Sequence, residues 1–387
     1  MTHSEQPAVS GPEPVRLRGS SWDHPRGHAP MVATAAAYEQ AAGGRVEVTW
    51  VPRSLKEFGM TSVESLAREF DLIVIDHPHI GVMAESGCVL PLDDLIGADD
   101  LADLAEGSPG RSHESYRYDG RQWALAIDAA CQASAWRPDL LAVPPADWPE
   151  VVALSESGTV LWPLGEVDAA ASLLTLAAGA GQPAPASERT FIDRPTGRRA
   201  LSLMCAVADR SDPACLRMNP IDVLEAMCDS DRFAYSPLAF CYVSYSLASR
   251  PGRRLSFGRV PGGSGALLGG AGLAVSALRS QAGPAVSYAA YVASGQVQQG
   301  LYFTSGGQPA HRAAWANAEV DAAAGGFFSG LAETMRTSWT RPRGPRFAGF
   351  QNSMIDLFTG WRDRADDADR FLDDLDRRYV EAGTRAD

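Results

Sequence analysis

Residues 72–75 read Leu-Ile-Val-Ile, an aliphatic run with no polar break. A strand that buries both faces reads this way, whereas a strand with one wet face alternates. The chain around it has the order that builds such a sheet. Residues 15–18 read as a strand, and 31–42 as an Ala-rich helix closed by Gly43 and Gly44. Val46, Val48 and Trp50 alternate as a second strand. Residues 63–70 read as a helix, and 82–86 as another with Gly87 at its end. Strand–helix–strand–helix–strand predicts a parallel sheet with helices on both faces, so the fold class is α/β. Ligands of such sheets sit beyond the carboxyl ends of the strands, where the loops 22–27 and 76–79 lie.

Residues 123–141 are the second constraint. Trp123, Leu125 and Ile127 alternate with Ala124 and Ala126 as a strand. The polar residues Asp128, Cys131 and Gln132 follow, then a short apolar run ending in Trp136-Arg-Pro-Asp-Leu. Pro138 disfavours helix at Arg137, and Asp139 is placed to begin the next one. Further on, 160–165 reads as a strand entering a loop, and 168–178, 200–208 and 221–228 as helices. Residues 233–245 form an aromatic strand–loop segment, and 252–265 a Gly/Arg-rich connection. Phe371, Leu375 and Tyr379 recur every four residues, which predicts a final amphipathic helix over 363–379.

With 387 residues the chain is long enough for two domains and a large core. The formal net charge of −13 argues against nucleic acid as a partner, because phosphate binding needs a basic face. None of the six cysteines forms a Cys-x-x-Cys pair, which removes zinc-ribbon and thioredoxin readings. Their scatter favours a reducing compartment. Residues 1–14 are polar and read as disordered, without a secretory signal or a lipobox cysteine. As written the chain is expected in the cytoplasm; a removed leader would make it periplasmic or extracellular. The longest Ala/Leu run, near 169–180, is too short to span a bilayer, so no membrane insertion is expected.

Four phrases resemble the family 1 extracellular solute-binding proteins of ABC transporters. Residues 71–95 look like that family's phrase ending in Pro-Leu-Asp-Asp-Leu, and 136–141 like its phrase after the first crossing between lobes. Residues 267–277 are similar to its Gly-Gly strand at the second crossing, and 300–315 to its Gly-Gly-Gln-Pro loop. The resemblance implies a two-lobed, periplasmic-binding-protein type II-like fold with a cleft between the lobes. It implies boundaries near 15–124 with 268–304 for lobe one, and 125–267 with 305–387 for lobe two. It also implies hinge closure on a small polar metabolite of the sugar, polyol or carboxylate class, with no cofactor. The partner would be an ABC transporter permease if the protein is exported.

Candidate ligand-binding residues follow from these placements. Trp22, Asp23, His24, Asp76 and His77 sit on the loops after the first and third strands. Solute clefts combine aromatic platforms with a few fixed polar groups. His24 with His28, and His77 with His79, could suggest a metal, but Pro25 and Pro78 argue against a helical ligand pair and no His-Glu-x-x-His is present. No metal is expected. Asp128 and Gln132 lie on the crossing segment and Trp162 at the end of a strand. Tyr235 and Tyr242 offer rings and hydroxyls, or else belong to a core strand. Gly269 and Gly270 fit neither phosphate-loop pattern; they read as a hinge or a tight strand approach whose amides could touch a ligand. Ser305, Gln308 and Arg312 occupy the turn where the resembled family closes its cleft.

Cys131 carries the alternative. More remotely the chain is thiaminase I-like, and those enzymes share the two-lobed fold with a cysteine nucleophile on a comparable segment. A cofactor-independent enzyme would use Cys131 with Asp128, His24 or His77 as its base. Otherwise Cys131 is a small buried thiol.

Overall fold

The computed structural model describes residues 13–54 and 62–383. The start expected to be disordered falls almost wholly outside these residues.

Nine strands are present among the described residues: β1 (Val15–Trp22), β2 (Val46–Arg53), β3 (Leu72–Ile75), β4 (Arg117–Tyr118), β5 (Arg121–Gln122), β6 (Leu125–Trp136), β7 (Tyr235–Phe240), β8 (Ser256–Gly258) and β9 (Leu268–Val275). β4 and β5 form a separate hairpin. The main sheet runs β2-β1-β3-β9-β6-β7, and β8 also pairs with β6. β1 pairs in parallel with β2 and with β3, whereas β9 lies antiparallel to β3 and to β6. The expected parallel sheet is therefore confined to the first three strands.

β3 shows why its sequence does not alternate. Leu72 and Val74 face one hydrophobic core, and Ile73 and Ile75 face another. Burying each such side chain contributes roughly 1.5–3 kcal/mol. Helices α1 (Pro25–Ala41), α2 (Val63–Glu69) and α3 (Ile80–Ser86) connect these strands. α1 begins six residues before its expected start, because Pro25 sits at the first helical position, where its missing N–H is no loss. Pro30 then lies inside the helix.

β6 departs most from expectation. It is one continuous strand, buried at every residue but Trp136, with no break at its polar residues. Its first half pairs with β9, from Leu125 opposite Leu273 to Cys131 opposite Leu268. Its second half pairs with β7, from Gln132 opposite Phe240 to Trp136 opposite Tyr235. This strand thus joins the part of the sheet built on β9 to the part built on β7. The helix expected at Asp139 does not form: residues 138–140 make a turn, and the next helix is α4 (Trp148–Ser155). After it come α5 (Glu166–Gly179), α6 (Arg194–Ala208), α7 (Pro220–Asp229) and α8 (Ala282–Ala293). The last helix, α9 (Ala368–Gly383), starts five residues later than expected. It buries Phe371, Leu372, Leu375 and Tyr379.

Gly270 fixes the β6–β9 contact. Its φ is +108°, and a Cβ there would sit 2.2 Å from the Asp128 carbonyl oxygen. The register of β6 shifts at this point, between Ala126 and Asp128. Gly270→Ala should therefore lower stability by about 1–3 kcal/mol, read as a lower urea midpoint with an unchanged slope. An unchanged midpoint would mean that the two strands separate here without cost.

Candidate functional site

Strand direction decides where the loops meet. β1 and β3 run parallel, so Trp22 and Ile75 end at the same edge of the sheet. β6 is antiparallel to β9, which is antiparallel to β3; β6 and β3 thus point the same way, and β6 leaves the first lobe near Asp128. In the second lobe Val160 bridges Tyr235 in parallel. The segment leading to α5 and the end of β7 at Phe240 therefore emerge together, beside Cys131 and Gln132. The loop before α1, the loop after β3, the middle of β6, the end of β7 and the start of α5 converge.

A buried ion pair holds the centre. Arg26, on the first turn of α1, donates from Nε to Asp128 Oδ2 at 2.7 Å, from Nη2 to Asp128 Oδ1, and from Nη1 to the Cys241 carbonyl at 2.8 Å. Both side chains are at most 5% exposed. Burial works against the charge on Arg26, but Asp128 more than offsets it and keeps the guanidinium ionised. Burial lifts the Asp128 pKa above its ordinary value, against the pull of Arg26. The guanidinium also lies 4.5 Å from the centre of the Tyr242 ring, in cation–π contact. His24 caps α1: its Nδ1 accepts from the Arg26 amide at 3.1 Å, and its ring meets Tyr242 edge-on at 5.2 Å. Burial, then Arg26, lower the His24 pKa to about 4 against the opposing effect of Asp23, so the ring is neutral at pH 7. The Tyr242 hydroxyl makes no hydrogen bond to another described residue, and burial raises its pKa.

Gln308 closes the base of this group. It is fully buried; its Nε2 donates to the Ala129 carbonyl at 2.7 Å and its Oε1 accepts from the Val243 amide at 2.9 Å. Asp76 accepts from Arg341 Nη2 at 2.7 Å and from the His77 amide at 2.8 Å. Burial opposes ionisation of Asp76, yet Arg341 and His77 hold it well below the usual carboxylate range. His77 is buried, and burial lowers its pKa to about 4. Tyr116 feels both Asp76 and Asp128, which links the two groups electrostatically.

Asp168 differs from these carboxylates. It stands in the first turn of α5, is 6% exposed, and has no hydrogen bond or ion pair to another described residue. Burial, then the charge of Asp222, push its pKa up to about 8. The segment that leads into α5 runs beside β7, so the first turn that carries Asp168 starts near the end of β7, which Tyr242 follows.

The sequence-derived residues divide. His24, Asp128, Tyr242 and Gln308 come together around Arg26. Trp22 is buried, and its ring fills the space that a Cβ on Gly27 would occupy, so it is no exposed platform. Asp23 is exposed. Gln132 is buried and accepts a hydrogen bond from Thr175, and Trp162 donates to Ser172 at 3.0 Å while stacking on Trp148. These two and Tyr235 are core groups of the second lobe. Gly269 lies in β9 under the Phe240 ring, Ser305 is half-buried and Arg312 is exposed. Arg26 and Asp168 were missed. Arg26 follows a His-Pro pair at a helix start, and Asp168 is the third residue after a strand-ending Pro-Leu-Gly; those positions are the only sequence signals they carry.

Cys131 lacks the surroundings of a nucleophile. It is fully buried, and the neighbouring Cys241 thiol together with burial raises its pKa well above the ordinary thiol range. Iodoacetamide should label the partly exposed Cys205 and leave Cys131 unmodified in the native protein, as read by peptide mass spectrometry. Rapid labelling of Cys131 would reopen the nucleophile reading. Among the described residues no three His, Cys, Asp or Glu side chains gather as metal ligands, and no helix is long and apolar enough to cross a membrane. Two cavities, of about 210 and 530 Å3, open beside Val260 and Gly262, and neither is lined by His24, Asp128, Asp168 or Tyr242.

Residues 33–327 match the family model of the bacterial extracellular solute-binding proteins. The chain belongs to this family. Solved structures agree on the fold of this solute-binding protein. The maltose-bound MalE3 of T. maritima superposes with a TM-score of 0.81 at 15% identity, covering 94% of this chain and 99% of that one. An ABC transporter solute-binding protein from Agrobacterium radiobacter K84, in complex with ribitol, gives 0.80 at 16% identity, covering 96% and 100%. One from Thermotoga Lettingae TMO, bound with alpha-D-tagatose, gives 0.76 at 13%, covering 95% and 99%. No curated protein sequence matches the chain. The architecture is thus the two-lobed α/β periplasmic-binding-protein fold that the sequence phrases implied, whereas likeness at this identity fixes no ligand.

Proposed function

We propose that this solute-binding protein closes its lobes on a small polyhydroxylated solute, a sugar or polyol. The observation that carries the proposal is family membership over residues 33–327, joined to relatives of the same fold that hold maltose, ribitol and tagatose. The convergence of loops around Tyr242 supports it. The Tyr242 hydroxyl, unengaged by any described residue, offers a donor and an acceptor to a solute hydroxyl. The neutral ring of His24 adds a second group suited to hydroxyls. Contacts to the solute come from His24, Tyr242 and Asp168, with Arg26 and Asp128 holding the frame beneath them. The crossing strand β6 and the turn at Gln308 serve as the hinge. Delivery to an ABC transporter permease completes the reading, with export as its condition.

Calorimetric titration with maltose, ribitol, tagatose and their common isomers tests this, alongside small-angle scattering. Saturable binding to one chemical class, with a smaller radius of gyration, is the expected result. Neither binding nor compaction with any member would overturn it.

A further inference from the structure

We propose that the solute carries a protonated amine beside its hydroxyls, as an amino sugar or amino polyol does, and that Asp168 receives the ammonium. This rests on the sugar–polyol reading and narrows it.

Asp168 is nine-tenths buried, and no described residue hydrogen-bonds its carboxyl or pairs with it. The buried Asp128 and the half-buried Asp76 are answered from within the chain. Arg26 takes Asp128, and Arg341 takes Asp76. Both cations are committed to those partners and neither acts on Asp168. The charged groups facing Asp168 do not help it. Asp222, at the start of α7, adds negative charge, and Tyr242, at the end of β7, is neutral. Glu166 lies on its own helix and is acidic as well. The free N–H groups of the first turn of α5 are all that favours an anion there, and they leave the carboxyl protonated at pH 7.

A buried acid without a partner is costly in either state. A neutral hydroxyl would satisfy one oxygen. An ammonium would ionise the acid and supply a charge-assisted bond, which is roughly twice as strong. Binding then releases the proton of Asp168 to water while the ligand's amine keeps its own. The balance is one proton out for each ligand bound. A neutral sugar would release none, because the protonated acid would simply donate to a ligand oxygen.

The probes are matched pairs that differ only in the amine: glucosamine with glucose, galactosamine with galactose, and glucamine with sorbitol. They are titrated into the full chain at pH 7 in two buffers of different ionisation enthalpy. The amine member of at least one pair should bind about 10-fold or more tightly than its neutral partner, with proton release approaching one. Asp168→Asn should erase that gap, and Asp168→Glu, which keeps the charge, should retain part of it. The proton count needs only the wild-type protein, so it decides even if a variant fails to fold. A neutral member that binds as well as its amine, with no proton released, overturns the amine proposal and leaves the sugar–polyol reading standing. A gap that survives in Asp168→Asn removes Asp168 from the role. Binding by no member of any pair overturns the amine proposal, while the sugar–polyol reading is decided separately by the maltose, ribitol and tagatose titrations.

Discussion

Asp128→Ala should destabilise the protein by about 3–5 kcal/mol, because it strands the Arg26 guanidinium in the interior. Arg26 cannot escape to water. It is held by the Cys241 carbonyl and covered by the Tyr242 ring, and its side chain is 5% exposed. The loss comes from the uncompensated charge more than from the bond itself. Replacing both partners by apolar residues of similar size, Arg26→Met with Asp128→Leu, should therefore recover most of the stability. Solute binding should not return with it. The pair positions the first turn of α1 against the crossing strand, and His24 and Tyr242 are arranged around that turn. Urea unfolding monitored by tryptophan fluorescence separates the outcomes. A loss below about 1 kcal/mol for Asp128→Ala would mean that water reaches Arg26, as it does in exposed pairs.

Legibility in the sequence followed the range of the interactions. β3 was readable to the residue because both of its faces are covered and its aliphatic run says so locally. β2 was readable for a similar reason, since Val46, Val48 and Trp50 at strand spacing need no distant partner to be recognised, whereas β9, with its paired glycines, was legible only through the family resemblance. The continuity of β6 was not. Asp128 and Gln132 look like a break in a strand until Arg26, 102 residues away, and Thr175, 43 away, are seen to satisfy them. The same logic hid the site. Trp22, Trp162 and Tyr235 have the side chains of a sugar platform, but the strands turn them into the core. Cys131 reads as lying past the crossing strand, at the cleft, whereas it sits inside β6; its sequence neighbours do not show that Cys241 faces it and seals it. Glu166 and Asp168 together look like ordinary acids of a helix's first turn. Only the tertiary setting separates Asp168 from its neighbour, by burying it, setting Asp222 nearby and bringing no cation.

Asp168→Asn should make the unliganded protein more stable at alkaline pH, and the gain should vanish in acid. The sign follows from the raised pKa. Folding holds the Asp168 carboxyl near a pKa of about 8, whereas its ordinary value is 3.8. Below pH 4 folded and unfolded chains both carry the proton, and burial of a neutral acid differs little from burial of the amide. Between about pH 4 and pH 8 the unfolded chain ionises and the folded chain does not, so the wild-type protein loses stability steadily as pH rises. Above pH 8 both states are ionised and the full cost of the buried charge remains. At about 1.4 kcal/mol per pH unit, the interval from 3.8 to about 8 amounts to roughly 5–6 kcal/mol as an upper bound. Partial opening of the lobes toward water would reduce it. The measurement is the difference in unfolding free energy between variant and wild type at pH 4, 6 and 9. Other titrating groups are common to both chains and cancel in that difference. A difference that grows with pH identifies an acid buried without compensation, which is the state a cationic solute would relieve. A difference independent of pH would mean that Asp168 is already ionised at neutrality and has a partner or water that stabilises it. The case for an ammonium at that position would then lose its physical basis, while the ion pair of Arg26 and Asp128 would be unaffected.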